Sequence, residues 1–456
     1  MVPEDRVGKS SNLSKVEERL TAELMGHHFM GIETRVNGQP PAHVPLEDIN
    51  LGVLGFWGLD DSIRDGAFTT LRREAPIKFF HEIEFEGFEA GPGHWALTKF
   101  DDVHFASRHP EIFSSYPNIT IADQQPEVAE YFGSMISLDD PRHARLRGIV
   151  RSAFTPKVVA RTEESVRARA QRLVQDLIAN HPDGKGELVT ELSGPLPLQV
   201  ICDMMGIPDD DHHQIFHWTN IILGFGDPDL TTDYEEFMKV AIDIGAYATA
   251  LAEDRRAHPR DDLTTALVAA EVDGEKLSSA EIASFFILLA VAGNETTRNA
   301  ISHGVLALTR YPEQRQIWWN DFDAHTHSAV EEIVRWASPV VYMRRTTTRD
   351  VDVSGIRIPA GDKVTMWYGS ANRDEDKFDN PWMFDVTRTP NHHVGFGGGG
   401  THFCLGANLA RREIAMVFEE LRNRIPDIAV TEEPSMLLSA FIHGIKRLPV
   451  SWTPPA

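Results

Sequence analysis

The stretch Gly395-Phe396-Gly397-Gly398-Gly399-Gly400-Thr401-His402-Phe403-Cys404-Leu405-Gly406-Ala407-Asn408-Leu409-Ala410-Arg411-Arg412-Glu413 decides the fold. A glycine-packed loop ends in one cysteine, and a helix is expected to start after Gly406 and run to about Arg424. Three readings compete. Glycines before a helix often cradle phosphate through backbone N–H groups, but no Gly-Lys-Ser/Thr closes this loop, so a P-loop fails. A bland turn with a buried cysteine would retain consecutive glycines at an entropic cost and without need. A thiolate at a helix N-terminus uses every part: glycines admit backbone N–H groups to the sulfur, and the helix dipole favours its negative charge.

The surrounding chain narrows the class. Its 456 residues carry a net charge of −24, with 42% hydrophobic and 25% charged residues, enough for a large core. Strong acidity disfavours a nucleic-acid partner. The two cysteines, Cys202 and Cys404, imply no disulfide framework and fit a reducing, cytoplasmic compartment. Cys202 lies in the apolar run Leu198-Gln199-Val200-Ile201-Cys202 and reads as a small core residue. No run of eighteen apolar residues exists, so no transmembrane helix is expected. Residues 1–28 read as a disordered N-terminal extension, with Met25 and Met30 as alternative starts, and residues 29–456 as a single large domain.

Along that domain the pattern is mainly α with a small β region. Leu51 to Ala106 mixes a helix with strand-like segments such as Ile83-Glu84-Phe85-Glu86, and Asn118 to Gln125 reads as a loop. Segments 159–180, 231–256 and 261–271 have helical periodicity. Ser278 and Ser279 offer an N-cap for a long apolar helix to about Arg310, which Tyr311-Pro312 stops. Dense β-branching over 339–367 predicts strands, and the last thirty residues predict short strands with a turn at His443-Gly444. No His-Glu-x-x-His helix and no Gly-x-Ser-x-Gly elbow offers a rival site. The pairs His212-His213 and His392-His393 read as surface or supporting residues.

On Gly400, His402, Cys404 and Gly406 the chain resembles the cytochrome P450 family, although Phe396 opens the loop one residue further from Cys404 than in the family's usual pattern. The resemblance implies that fold, with Cys404 as thiolate ligand of haem b, where the sulfur's electron density favours O–O cleavage. Further motifs follow in the family's order. Ala292-Gly293-Asn294-Glu295-Thr296-Thr297 is similar to the oxygen-activation motif: Ala292 and Gly293 leave room for cofactor and O2, while Glu295 and Thr296 form an acid–alcohol proton relay. Glu332-Ile333-Val334-Arg335 is similar to the family's buried structural pair, whose side chains meet at i, i+3. Met383 stands where relatives carry a third, basic partner, leaving Arg373, Arg388 or a histidine for that role. His143, Arg147, Arg345 and His402 are implied as haem-propionate contacts.

The implied reaction is hydroxylation with O2 and electrons from NAD(P)H, delivered by a separate ferredoxin and ferredoxin reductase. Arg151, Arg411 and Arg412 are expected to help dock an acidic carrier. The runs Asn118-Ile119-Thr120-Ile121, Phe216 to Pro228 and Ala292 to Ala300 resemble family members that hydroxylate the terminal (omega) carbon of methyl-branched lipids, including phytanic-type fatty acids and isoprenoid or sterol side chains. Ile119, Ile121, Phe132, Ile222, Leu223, Phe225, Val291, Val340, Val341, Phe441 and Ile442 are candidates for an apolar substrate pocket. Two alternatives stand beside this reading: a peroxide-driven haem-thiolate enzyme, against which Glu295-Thr296 argues, and a non-catalytic haem- or lipid-binding protein.

Overall fold

The computed structural model describes residues 37–82, 90–153, 156–231, 233–272 and 274–454. The expected N-terminal extension and the strand-like Ile83-Glu84-Phe85-Glu86 lie outside the described residues. Thirteen helices of seven residues or more are described: α1 (Asp61–Glu74), α2 (Phe100–Arg108), α3 (Pro126–Gly133), α4 (Arg142–Ala153), α5 (Pro156–Asn180), α6 (Pro195–Met205), α7 (His212–Leu223), α8 (Tyr234–Ala257), α9 (Leu263–Ala269), α10 (Ser279–Arg310), α11 (Pro312–Asn320), α12 (Phe322–Ala337) and α13 (Ala407–Arg424). No helix among the described residues is long and apolar enough to cross a membrane.

The axis of the molecule is α10. Ser278 accepts from the Glu281 amide while Glu281 reaches back to the Ser278 N–H, a reciprocal capping box. Thirty-two residues later Tyr311 ends the helix and Pro312 opens α11. At 1.5 Å per residue such a helix spans roughly 48 Å, and α5, α6, α8, α12 and α13 pack on or beside it in two apolar clusters. Gly304 exists for that packing: a Cβ there would lie 2.7 Å from the Phe418 ring of α13.

The predicted strand region over 339–367 resolves into β-structure at one edge of the helical body. The main sheet contains β1 (Ile77–Phe80), β2 (His94–Leu97), β3 (Phe113–Ser114), β4 (Tyr342–Thr347) and β5 (Lys363–Trp367), in the order β1-β2-β5-β4-β3. Only the β2/β5 pair is parallel. Strand β5 is buried at all five positions, as a central strand should be. At the chain's end, β6 (Ser435–Met436) and β7 (Ile445–Arg447) form a short antiparallel hairpin around the predicted turn. The 261–271 segment is shorter than its periodicity suggested: α9 stops at Ala269, and Glu271–Val272 turns into a two-residue strand. Asn118 to Gln125 is a loop, as expected.

Candidate active site

The cysteine loop crosses the molecule between α2 and α13. Gly400 adopts φ +78°, and a Cβ there would lie 2.3 Å from the Ser107 carbonyl oxygen at the end of α2, so only glycine fits. The extra residue is absorbed within the glycine run. The Cys404 amide still donates to the Phe396 carbonyl at 3.0 Å, and the Phe396 ring packs on the core under the Arg411 guanidinium, 4.4 Å away. Cys404 is exposed. Desolvation by the surrounding chain pushes its thiol pKa up, against the amides of Gly406 and Ala407 and the charges of Arg147 and Arg411, which favour the thiolate. The thiol therefore sits at the N-terminus of the eighteen-residue α13, with two N–H groups turned toward it.

The four expected propionate contacts come together beside it. The His143 and His402 rings stack at 4.2 Å, and Ser115, which sequence reasoning missed, hydrogen-bonds His402 Nε2 at 3.1 Å. Arg147 donates to the Phe403 carbonyl at 2.6 Å. Arg345 is buried and donates to the Arg344 carbonyl, with no carboxylate paired to it among the described residues. Burial pulls the pKa values of Arg345 and Arg147 down. Burial, with Arg345, His143 and Arg147 nearby, pushes His402 down to about 2. His143 Nε2 is buried without a partner. His143 has Asp140 beside it at 3.1 Å, but no carboxylate pairs with Arg147 or Arg345 among the described residues, and two guanidiniums without an anion are costly to bury until one joins them. Two carboxylates beside a thiol are what haem b would bring, so the donor set fits that group.

Along α10, Ala292 and Thr296 share the open face, and the Thr296 hydroxyl donates to the Ala292 carbonyl at 2.8 Å. Glu295 turns to the buried side. There Arg298 donates to its carboxylate at 2.9 Å and the Asn299 amide at 3.3 Å, while Arg298 also donates to Asn220 of α7 at 2.8 Å. Arg298, Asn299 and Asn220 were not singled out from sequence, although Glu295 stands i, i+3 and i, i+4 from the first two. Gly293 also serves helix packing: a Cβ there would lie 2.6 Å from Ile201 Cδ1 on α6, while Ala292 is exposed on the open face.

Glu332 and Arg335 form a fully buried bidentate pair, both contacts at 2.7 Å. The third partner is Arg388, whose Nε donates to Glu332 at 3.1 Å, joined by Asn391 at 3.0 Å and the Asp385 amide at 2.9 Å. Arg373 instead donates to the Trp336 carbonyl. Met383 supplies its backbone carbonyl to Arg335 and Arg388 rather than its side chain.

The apolar candidates divide. Ile121, Phe132, Ile222, Leu223, Phe225, Val291, Val340 and Phe441 are half-buried and offer surface to a ligand. Ile119, Val341 and Ile442 are 9%, 7% and 3% exposed and present little surface. Of the three expected docking arginines, Arg411 is bound to Glu331 by two hydrogen bonds, Arg412 is exposed and ion-paired with Glu163, and Arg151 is exposed. Neither His212 nor His393 is a surface residue. His212 is buried near the Ile207 carbonyl, and the side chain of His393 is buried against Glu331.

A helical body built on one long capped helix, a small mixed sheet, and a cysteine loop flanked by two guanidiniums without a carboxylate partner among the described residues define a haem-thiolate class of protein. The Cytochrome P450 family model matches residues 94–317 and 324–422, and the chain belongs to that family of monooxygenases. It is 72% identical over 422 residues to the methyl-branched lipid omega-hydroxylase of Mycobacterium tuberculosis, covering 92% of this chain and 99% of that one. It is 40% identical to a steroid C26-monooxygenase of Rhodococcus jostii, over 84% of this chain and 81% of the relative. Among solved structures, a cytochrome P450 of Mycobacterium marinum in complex with pseudoionone superposes with a TM-score of 0.83 at 39% identity, covering 90% of this chain and 99% of that one.

Proposed function

We propose that the protein hydroxylates the terminal carbon of methyl-branched lipids, drawing electrons from NAD(P)H through a separate ferredoxin and ferredoxin reductase. The observation that carries the haem reading is the pair of guanidiniums, Arg147 and Arg345, that lack a carboxylate partner among the described residues and stand with His143 and His402 beside the Cys404 thiol. The names of the similar proteins support the substrate class: one acts on methyl-branched lipids, the other at C26 of steroids. Overall, one oxygen atom of O2 enters a C–H bond and the other leaves as water, consuming two electrons and two protons.

Haem b, when bound, supplies the oxygen-activating centre. The chain supplies the rest. Cys404 would be the thiolate ligand, its negative charge favoured by the Gly406 and Ala407 amides against the desolvation that raises its pKa. His143, Arg147, Arg345 and His402 bind the propionates. Thr296 presents its hydroxyl on the open face of α10, and Glu295 holds a proton-exchanging carboxylate one residue earlier, restrained by Arg298 and Asn299. Glu332 and Arg335 anchor the region structurally.

Terminal oxidation demands placement, because a primary C–H bond is harder to break than the tertiary one at the branch. The walls must hold the chain end forward and deny the branch carbon access. Ile121, Phe132, Ile222, Leu223, Phe225, Val291, Val340 and Phe441 fit such a wall. The deciding experiment incubates the haem-loaded protein with a ferredoxin, its reductase, NADPH and either phytanic acid or cholest-4-en-3-one, then locates the hydroxyl by mass spectrometry. Terminal alcohol is expected. Exclusively in-chain products, or turnover with peroxide alone and none with the electron partners, would overturn the reading.

A further inference from the structure

The hairpin β6/β7 carries a tip, residues 437–444, that folds against the start of β4. The Val341 amide donates to the Phe441 carbonyl at 2.9 Å, the His443 amide to the Pro339 carbonyl at 2.9 Å, and Ile442 bridges Val340. Phe441 lies edge-on to Tyr342 at 5.5 Å and packs in the same cluster as Ile121. The tip therefore presents a proposed wall residue. Its own strands hold it weakly: they are two and three residues long, with a register irregularity at Ser435 and Met436.

The stronger hold comes from one side chain. His443 Nδ1 lies 2.7 Å from the Ala337 carbonyl at the end of α12, and its Nε2 lies 3.2 and 3.3 Å from the two carboxylate oxygens of Asp61, the first residue of α1. Its ring lies 4.1 Å from that of His303 of α10, tilted by 34°, and His303 Nε2 lies 3.1 Å from the His443 carbonyl. Three helices distant in sequence thus converge on one imidazole. A carbonyl and a carboxylate can only accept, so both contacts are made together only when both ring nitrogens carry protons. The surroundings suit that state. Burial works against ionising Asp61, yet His443 and Arg64 hold its carboxyl well below the usual carboxylate range. Burial pushes His303 well down, leaving a neutral ring that donates through Nε2.

We infer that His443 is a positioning residue for the hydroxylation, locked by Asp61 so that the C-terminal tip holds Phe441 in place and sets how far a branched chain end can advance. The inference rests on the branched-lipid reading above. It concerns fit of the substrate and leaves the proton relay untouched.

The test compares the haem-loaded wild type with His443→Phe, which keeps a ring but loses both donors, with Asp61→Ala, which removes the partner, and with the conservative Asp61→Glu. Each is measured for phytanic acid binding by the substrate-induced Soret shift, for kcat and KM, for the ratio of terminal to in-chain alcohol, and for thermal midpoint. The first two variants should raise Kd and KM about tenfold, the scale of a displaced apolar contact, with kcat nearly unchanged and a lower terminal ratio. Asp61→Glu should restore most of the loss. Lower thermal midpoints with unchanged Kd and product ratio would reduce the cluster to a structural brace and overturn the inference. If the wild type itself makes no terminal alcohol, the substrate reading fails, while the Soret titrations still decide whether His443 governs the binding site.

Discussion

The thiol of Cys404 is pulled in two directions, and the balance explains the residues around it. Desolvation favours the neutral thiol, while two amide N–H groups, Arg147 and Arg411 favour the thiolate. A bound metal ion resolves the conflict, because a coordinating thiol is deprotonated outright. Cys404→Ser should therefore abolish the thiolate-shifted Soret band of the reduced carbon monoxide complex together with turnover; a pigmented, fully active serine variant would remove Cys404 as ligand. Thr296 presents a different case: its hydroxyl is already satisfied by the Ala292 carbonyl and must rotate to donate elsewhere. Thr296→Ala should leave O2 consumption running while lowering product per O2 about tenfold, less than the roughly hundredfold low end for a lost general acid or base. Unchanged coupling would take Thr296 out of the relay. At this scale a local pattern shows a position but not its neighbours: Gly293 stood out as an interior helix glycine, while the side chain packed closest to it, Ile201, comes from ninety-odd residues away.

Helices α12 and α13 carry the two most consequential buried carboxyls. Glu332 collects Arg335, Arg388, Asn391 and the Asp385 amide with almost no solvent access. Glu332→Gln would leave two buried guanidiniums short of an anion, so it should destabilise the fold by about 3–5 kcal/mol in chemical denaturation; a loss within experimental scatter would mean that the backbone carbonyls alone hold Arg335. The Glu332/Arg335 pair was legible through its likeness to the family's Glu-x-x-Arg motif, because i, i+3 spacing by itself recurs on many surface helices. Arg388 was one of several options because it arrives from a loop with no period to read. Glu413 on α13 was not anticipated. It is fully buried, burial raises its pKa from 4.5 to about 8, and Thr297 on α10 is its hydrogen-bond partner. The unfolded chain releases this proton near 4.5 while the folded chain keeps it to about 8, so the stability linked to it is complete below about 4.5 and is lost as pH rises toward 8. Glu413→Gln lacks this penalty. Its stability relative to wild type should grow between pH 5 and pH 8 by on the order of 1 kcal/mol per pH unit, and a constant difference across that range would show that Glu413 ionises freely in the fold.

For the whole molecule the governing quantity is charge. A chain of net charge −24 repels an acidic electron carrier at long range, so productive encounter requires a local positive face. The cysteine loop has one: Arg108 flanks Gly399 and Gly400, Arg147 bonds the loop at Phe403, and Arg151 is exposed one turn further along α4. Arg151, Arg411 and Arg412 were all chosen on charge, which is visible in a sequence, whereas the partners of the last two, Glu331 and Glu163, are not. The proposed apolar wall was no more legible: Ile121 and Phe441 pack in one cluster and Phe132, Ile222 and Val291 in another, from segments far apart in sequence. Arg151→Glu should therefore slow ferredoxin-driven reduction of the haem by about three- to tenfold at low ionic strength. The deficit should shrink as salt rises past about 0.1 M, where the Debye length falls to roughly 10 Å. Reduction by dithionite, which needs no docking, should be unaffected. A deficit that persists at high salt would point to damage at the loop itself, and no deficit at low salt would place the carrier on another face.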